Sequence, residues 1–240
     1  MKPIEQARDW IQYVATGLAI IGGVWLHRML EDKVPSAVKY LFIGCVLVVF
    51  FAVVEIGVRT CLNSSYTIRR LIMGAQDIEG WWADVILDPR SKEPMFGAVL
   101  RVDYEGGEYV LSGQDFNDDG STRGDFTATQ SIYSRYVLSY RFDAHLLSEP
   151  KPSVGGIGIL NFMRRGDAIP IAFSGFLYEP HRLASLYIYG ERIIDKATVA
   201  ELRASQKQAT EAGRRIALDY MKRSRNRFKG GTDSETSTAA

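Results

Sequence analysis

Several residue types that support common classes of protein are scarce in this chain of 240 residues. There are two cysteines, Cys45 and Cys61, and both lie in or beside an apolar run, so they cannot form the disulfide framework of a small secreted protein. We expect both thiols to be reduced. The composition, with 46% hydrophobic and 24% charged residues, also excludes a collagen-like or wholly disordered chain.

The sequence lacks the motifs of catalysis and metal binding. It has no Gly-x-Ser-x-Gly, His-Glu-x-x-His, P-loop or Cys-x-x-Cys motif, and its three histidines are scattered. Asp115 to Gly120 is similar to the start of a calcium loop, but Phe126 stands where the loop requires a bidentate Glu. A hairpin turn explains the same residues. We therefore predict that the protein is not an enzyme and has no cofactor and no metal site.

The net charge is +1, but the charges are unevenly distributed along the chain. Residues 1–70 carry 8 basic and 5 acidic residues, residues 71–195 carry 11 and 18, and residues 196–240 carry 10 and 5. An acidic body thus lies between two basic ends. Domains that bind nucleic acids usually have a basic surface, so no nucleic-acid polymer is expected as a partner.

Two apolar runs stand at the start of the chain. Residues 10–26 contain no formal charge, a polar hinge covers residues 27–36, and residues 40–58 are interrupted only by Glu55. A hydrocarbon core of ~30 Å requires about 20 helical residues, so each run is just long enough to cross a bilayer. The alternatives are a cleaved signal peptide, a buried core helix and a re-entrant hairpin. Because a processing site and a polar helical face are both missing, we prefer two spanning helices.

The basic residues beside the two runs predict their orientation. The hinge side has Arg28, Lys33 and Lys39. The other side has five such residues, namely Lys2, Arg8, Arg59, Arg69 and Arg70. Because lysine and arginine favour the cytoplasmic side of a membrane, both termini are expected in the cytoplasm.

Small residues recur on one face of the first predicted helix. Ala15, Ala19 and Gly23 are four residues apart, a spacing that lets helices approach closely in lipid. This face is a candidate contact between subunits and, equally, a candidate contact with the second helix. Glu55 precedes Arg59 by four residues, which is the favourable spacing for an ion pair on a helix.

From residue 78 onward the apolar pattern has a period of two, which is typical of β-strands. Eight runs rich in Val, Ile, Tyr and Phe alternate with turn-forming residues. They cover residues 78–87, 96–104, 107–114, 122–132, 135–143, 155–164, 170–178 and 184–194. Consecutive strands joined by short turns are antiparallel, so the runs predict an up-and-down barrel, with a sandwich as the alternative.

Tyrosines recur on one face of two of these strands. Tyr136 and Tyr140 share a face in the fifth run, and Tyr187 and Tyr189 share a face in the eighth. An eight-stranded barrel has room for packed side chains or for one small ligand. Inward-facing tyrosines would therefore be either barrel core or ligand contacts.

The C-terminal part of the chain is predicted to be a helix followed by a tail. Residues 196–222 favour a helix packed on the barrel, and residues 222–229 hold five basic residues that suit an anionic membrane surface. Residues 230–240 are expected to be disordered.

These elements define a membrane-anchored all-β protein. The predicted parts are a two-helix transmembrane hairpin (1–62), a linker (63–77), an eight-stranded, lipocalin-like β-barrel (78–195), a helix (196–222) and a basic, then disordered tail (223–240).

A set of aromatic and glycine motifs in the barrel suggests a family. They are Gly80-Trp81-Trp82, Tyr109 with Gly113-Gln114-Asp115-Phe116, Asp119-Gly120, Tyr136 to Tyr140, Gly156-x-Gly158-x-Leu160-x-Phe162, Phe173-x-Gly175 and Tyr187-x-Tyr189-Gly190. In this order, and after two apolar helices, they resemble the two-transmembrane β-barrel effectors of bacterial cyclic-oligonucleotide anti-phage systems (CBASS). The basic C-terminal extension is not part of that pattern.

The resemblance implies an anti-phage effector of the bacterial inner membrane. Its cytoplasmic barrel would bind a cyclic di- or oligonucleotide second messenger. Its helices would form a homo-oligomer that disrupts the lipid bilayer and kills the infected cell. Two alternatives remain, a membrane-tethered carrier or sensor of a lipid or other apolar ligand, and an interaction module whose barrel is full.

A cyclic nucleotide would require arginines near its phosphates and aromatic rings against its bases. The candidate contacts are Trp82, Arg101, Tyr136, Tyr140, Arg141, Tyr187, Tyr189 and Arg192, with Arg123 as a further arginine. The acidic character of the barrel opposes a phosphate ligand unless several of these arginines converge.

Overall fold

A computed structural model of the protein describes residues 3–30, 35–105, 107–147, 153–164, 166, 168–180 and 185–230. The chain divides into two compact units, Met1–Gly74 and Ala75–Ala240. The first unit is helical, and the second contains the sheet and two further helices. Two residues used above to predict the orientation, Lys2 and Lys33, lie outside the described residues. So do residues 231–240, which the sequence analysis expects to be disordered.

The N-terminal unit consists of three helices, α1 (Pro3–Met29), α2 (Ser36–Ser64) and α3 (Tyr66–Met73). Among the described residues, one segment, Val38–Leu62 of α2, is long and apolar enough to cross a membrane. Helix α1 has sufficient length, but Gln12, Thr16 and three glycines interrupt its apolar residues. The structure therefore offers one candidate spanning helix where the sequence analysis expected two.

The stripe of small residues on α1 packs within the hairpin. Ala15 and Ala19 are 4% and 6% exposed, and a Cβ placed on Gly23 would lie 3.9 Å from the side chains of Ile43 and Leu47 on α2. Small side chains allow this close approach of the two helices. The stripe thus forms the contact between α1 and α2 within one chain. A contact between subunits through Ala15, Ala19 and Gly23 was also considered, but α2 already covers this face of α1.

The segment predicted as a linker contains helix α3. Ser65 caps its first turn, because its hydroxyl oxygen accepts a hydrogen bond from the backbone N–H of Ile68 at 3.3 Å. Arg69 donates to the backbone oxygen of Leu62 at 2.7 Å and so ties α3 to the end of α2. A 3-10 turn, Gly74–Gln76, follows.

The second unit is built on a closed barrel of eight antiparallel strands, as predicted. The strands are β1 (Gly80–Leu87), β2 (Pro94–Glu105), β3 (Glu108–Asn117), β4 (Thr122–Ser134), β5 (Val137–Leu146), β6 (Ser153–Met163), β7 (Ala172–Tyr178) and β8 (Leu186–Arg192). Each strand pairs with the next along the chain, and β8 pairs with β1. Closure satisfies both edges of the sheet and makes the sandwich interpretation wrong.

Two helices follow the barrel, α4 (Lys196–Leu202) and α5 (Gln206–Gly230), where one helix was predicted. Helix α5 lies against the outer surface of β1, β2 and β3. Its buried residues Ala217, Tyr220 and Met221 contact outward-facing residues of those strands, among them Val85 and Val99. The expected packing of the C-terminal helix on the barrel is therefore confirmed.

The basic end of α5 pairs with acidic residues of the barrel. Arg225 lies 3.0 Å from Asp118, and Arg227 lies 3.2 Å from Glu191. Residues 222–229 were expected to form a tail at a membrane surface, but they continue α5 as a helix. These pairs bring part of the basic C-terminal segment against the acidic body.

Candidate functional site

One end of the barrel is closed by the segment that precedes β1. Ile78 is fully buried and accepts, through its backbone oxygen, a hydrogen bond of 3.0 Å from the indole Nε1 of Trp82. The rings of Phe162 and Phe173 lie 5.1 Å and 5.5 Å from the Trp82 ring. Trp82, a predicted ligand contact, is thus part of the packed core at this end.

Arg192 completes the closed end. Its guanidinium donates to the backbone oxygen of Asp77 at 3.0 Å, lies 3.5 Å from the Asp77 carboxylate and also donates to the backbone oxygen of Glu79. It lies over the Trp82 ring, 5.4 Å from the ring centroid. Arg192 was predicted to bind ligand, and the structure instead surrounds it with protein groups.

The opposite end of the barrel holds a small cavity of about 40 Å³, here called the mouth cavity. Its polar residues are Asp84, Asp115, Arg123, Tyr140 and Glu179. Ordered water requires roughly 10–15 Å³ of such volume per molecule, so the cavity has room for on the order of three waters. A complete nucleotide does not fit inside the barrel.

The carboxyl groups of the mouth cavity have altered acidity. Burial raises the pKa of Asp84 well above its usual value, and the nearby Asp115 carboxylate adds to this effect. Burial also raises the pKa of Asp115 to about 7, although Arg123 opposes the shift. The pKa of Tyr140 is raised by burial and by both carboxylates. The cavity therefore favours groups that donate hydrogen bonds or bring positive charge.

A larger cavity lies on the outer surface of the barrel, beside α4 and the first turns of α5. This outer groove has a volume of about 310 Å³, at the lower end of the roughly 300–1,000 Å³ typical of small-molecule sites. Its lining combines aromatic, polar and charged side chains. They include Trp81, Arg101, Gln114, Asp125, Phe126 and Thr210.

Trp81 and Arg101 are the aromatic and the charged residue of the outer groove that matter most for binding a ligand. The indole Nε1 of Trp81 is buried and has no hydrogen-bond partner among the described residues. The Arg101 guanidinium lies 5.8 Å from the centroid of the Trp81 ring and is held by Asp103 at 2.8 Å. Together they place an aromatic ring, an indole N–H without a partner and an ion-paired guanidinium at the groove, which suits a planar ligand with acceptor atoms.

Of the remaining predicted contacts, Tyr140 and Arg123 line the mouth cavity and Arg101 lines the outer groove, and the others do not converge on either cavity. Tyr187 and Tyr189 lie on the outer face of β8 and pack in one cluster with Val85 and Met221, so these two candidate contacts are outside the barrel interior. Tyr136 has a φ of 69° at the turn between β4 and β5, and Arg141 is exposed. The inward face of β8 carries the buried Leu186 and Ile188, so both faces of this strand are apolar.

Sequence reasoning missed Trp81, Phe126, Asp84 and Asp115 as site residues. Asp84 was detectable, because a carboxylate stands inside the otherwise apolar run GWWADVIL. Trp81 could not be identified as a site residue from the sequence. Its side chain and that of Trp82 face opposite sides of the same strand, and the sequence does not show which side is inside. Which of the two rings faces inward depends on the rest of the barrel.

Comparisons with family models, with curated proteins and with solved structures gave no match. The resemblance to CBASS effectors therefore depends on the sequence motifs. Within the structure, several of those motif glycines lie under aromatic rings of the neighbouring strand, Gly156 under Phe142 and Gly190 under Phe173.

Proposed function

We propose that the protein is a membrane-anchored anti-phage effector. In this proposal the cytoplasmic barrel binds a cyclic nucleotide, and helices α1 and α2 assemble in the bacterial inner membrane and disrupt it. The observation that carries the proposal is the outer groove, where the unused Trp81 N–H and the Arg101 guanidinium lie beside aromatic walls. Such a combination recognises a base by stacking and a phosphate by charge.

The membrane part of the proposal is supported by the exposed apolar side chains of both helices. Besides the candidate span in α2, helix α1 exposes Trp10, Ile20, Ile21 and Trp25 to between 60% and 70%. Apolar surface of this kind marks a membrane or protein contact. We propose α1 as the second span, with both termini in the cytoplasm.

The groove volume limits how the ligand is bound. About 310 Å³ accommodates one nucleoside unit, so the rest of a cyclic nucleotide would extend over the barrel surface. Gln206 and Thr210 place the first turns of α5 at the same groove, and Asp125 also lines it.

Assembly must be linked to ligand for the protein to act as a switch. A ligand shifts an equilibrium only when it binds the assembled state more tightly, by about 1.4 kcal/mol for each tenfold change. Because the Ala15 and Ala19 face is covered by α2, the contacts between subunits would use the exposed apolar faces of α1 and α2.

Binding of cyclic nucleotides to the full-length protein in nanodiscs tests the sensing step. We would titrate a panel of cyclic di- and trinucleotides by isothermal titration calorimetry. Trp81→Phe removes the N–H but keeps a ring, and Arg101→Gln removes the charge; each should weaken binding about tenfold or more. Arg141→Gln, an exposed arginine outside the groove, is the matched control and should leave the affinity unchanged. Absence of micromolar binding across the panel would contradict the sensing step.

Release of a dye from liposomes tests the membrane step separately. Liposomes of bacterial lipid that contain the protein should leak on addition of the bound nucleotide and not without it. If the protein binds the nucleotide but the liposomes do not leak, the sensing step stands and the membrane-disrupting role is excluded.

The size of the interior argues against the alternative of a lipid carrier. The mouth cavity of about 40 Å³ is far below the roughly 300 Å³ at which small-molecule sites begin. The interior is filled by residues such as Leu111, Leu138 and Leu160, all fully buried.

A further inference from the structure

We propose that the mouth cavity is a binding site for the primary ammonium group of an alkylamine. The mouth cavity and the outer groove have different polar residues. This proposal goes beyond the proposed nucleotide sensing and does not depend on it. The mouth cavity combines buried carboxyl groups with apolar walls at one end of the barrel.

Asp84 supplies the main observation. This residue is 1% exposed, and it lies at the mouth cavity. Its Oδ1 atom is buried and accepts no hydrogen bond from any described residue. A buried acceptor without a donor is costly, so the oxygen is suited to a ligand that brings an N–H group.

The charges around Asp84 show which kind of donor fits. The mouth cavity holds three carboxyl groups, those of Asp84, Asp115 and Glu179, and one guanidinium, that of Arg123. The Arg123 guanidinium lies 4.2 Å from the centroid of the Phe96 ring and acts on the Asp115 carboxyl group, so its charge compensates one of the three carboxyl groups. A ligand with one positive charge stabilises the ionised form of Asp84 that burial disfavours, and it can donate to the Oδ1 atom. An ammonium group has the charge, three donors and no acceptor.

The walls of the mouth cavity match the carbon chain of such a ligand. They consist of aliphatic and aromatic side chains, namely Ile86, Phe126, Phe142, Leu146, Leu177 and Ile188. The volume of about 40 Å³ corresponds to about three non-hydrogen atoms, an ammonium nitrogen with about two carbon atoms, judged from the volume that one water requires. A longer chain would continue past Arg123 and Glu179, which are half-buried.

A metal ion is a poorer match to the same residues. Among the described residues, no group of three or more His, Cys, Asp or Glu side chains is placed to hold a metal. The apolar walls also lack the oxygen ligands that hard cations require. An alkylammonium ion uses both the carboxyl groups and the walls.

The test compares n-butylammonium with n-butanol, which has similar shape but no charge. Both are titrated into the full-length protein in detergent at about pH 8, where an alkylamine is still protonated. We expect n-butylammonium to bind at least about tenfold more tightly than n-butanol. Asp84→Asn keeps the shape of the side chain and should lose at least about tenfold in affinity for the amine.

Two further variants keep the result interpretable. Asp219→Asn changes an exposed carboxylate on α5 and should leave amine binding unchanged. If Asp84→Asn fails to fold, Asp115→Asn provides the second test, and the same loss is expected. Equal affinity for the amine and the alcohol, or unchanged affinity in a folded Asp84→Asn protein, would overturn the proposal whatever the nucleotide titrations show.

Discussion

The ring of Tyr140 occupies the space above Gly158. The two residues are direct partners across β5 and β6, and a Cβ placed on Gly158 would lie 2.3 Å from the Cζ atom of the ring. No side chain other than hydrogen fits at this position without moving the tyrosine. Gly158 therefore holds Tyr140 flat against the barrel wall and leaves the mouth cavity open.

The first prediction is that Gly158→Ala destabilises the barrel by about 1–3 kcal/mol, since overpacking forces Tyr140 or the strand to shift. Thermal or guanidinium unfolding measures the change. Gly155→Ala is the matched control in the same strand, because its Cβ would come no closer than 3.2 Å to any atom. Equal effects of the two substitutions would show that the ring does not depend on Gly158.

The second prediction concerns the ion pair at the closed end. Arg192 and Asp77 have side chains that are 6% and 0% exposed, so removal of the arginine leaves a buried carboxylate without its charge partner. Arg192→Leu should cost about 3–5 kcal/mol of unfolding free energy.

Arg227→Leu serves as the control for Arg192→Leu, because it removes an exposed arginine that pairs with Glu191. Its cost should stay near or below about 1 kcal/mol. A similar small loss for Arg192→Leu would contradict its role in closing the barrel.

The third prediction is that barrel stability falls with rising pH because of Asp115. Its pKa is raised from 3.8 to about 7 in the folded protein, so between these values the folded state binds more protons than the unfolded state. The stabilisation is complete below the unfolded pKa and is lost as the pH rises to the folded value. The slope for one group approaches about 1.4 kcal/mol per pH unit.

The pH dependence of the melting temperature, compared between the protein and its Asp115→Asn variant, measures this effect. The variant should lose less stability between about pH 4 and pH 7. Asp119→Asn is the control, since Asp119 is exposed and its pKa is lowered by the Ser121 hydroxyl and amide. Parallel curves for the protein and the Asp115→Asn variant would contradict the prediction.

The fourth prediction separates the two roles considered for the small-residue stripe. Ala19→Leu should push α1 away from α2, at a cost of about 1–3 kcal/mol, and make the hairpin more sensitive to proteolysis in detergent. Ile20→Leu, at the neighbouring exposed position, should have little effect. If Ala19→Leu left proteolysis unchanged but abolished assembly, the stripe would instead lie between subunits.

The sequence alone was sufficient for the local elements. Period-two alternation with turn residues located all eight strands to within a few residues, because each strand and turn depends on its own neighbours in the chain. The apolar run in α2 and the helix-forming residues after residue 195 were likewise recognisable from the sequence alone. The break at residues 203–205, which divides that region into α4 and α5, was not predicted.

Which face of each strand points inward was decided by the tertiary structure. In β1 both faces are buried, because α5 covers the outside, and in β8 the outward tyrosines are half-buried, so apolar alternation no longer marks the interior. The sequence therefore could not show that Tyr187 and Tyr189 lie on the outer face of β8. The pairing of Asp77 with Arg192 and the meeting of Trp81 with Thr210 at one groove join residues more than a hundred positions apart. Such contacts arise only when the barrel closes and α5 packs on it, because no local pattern encodes a partner at that distance.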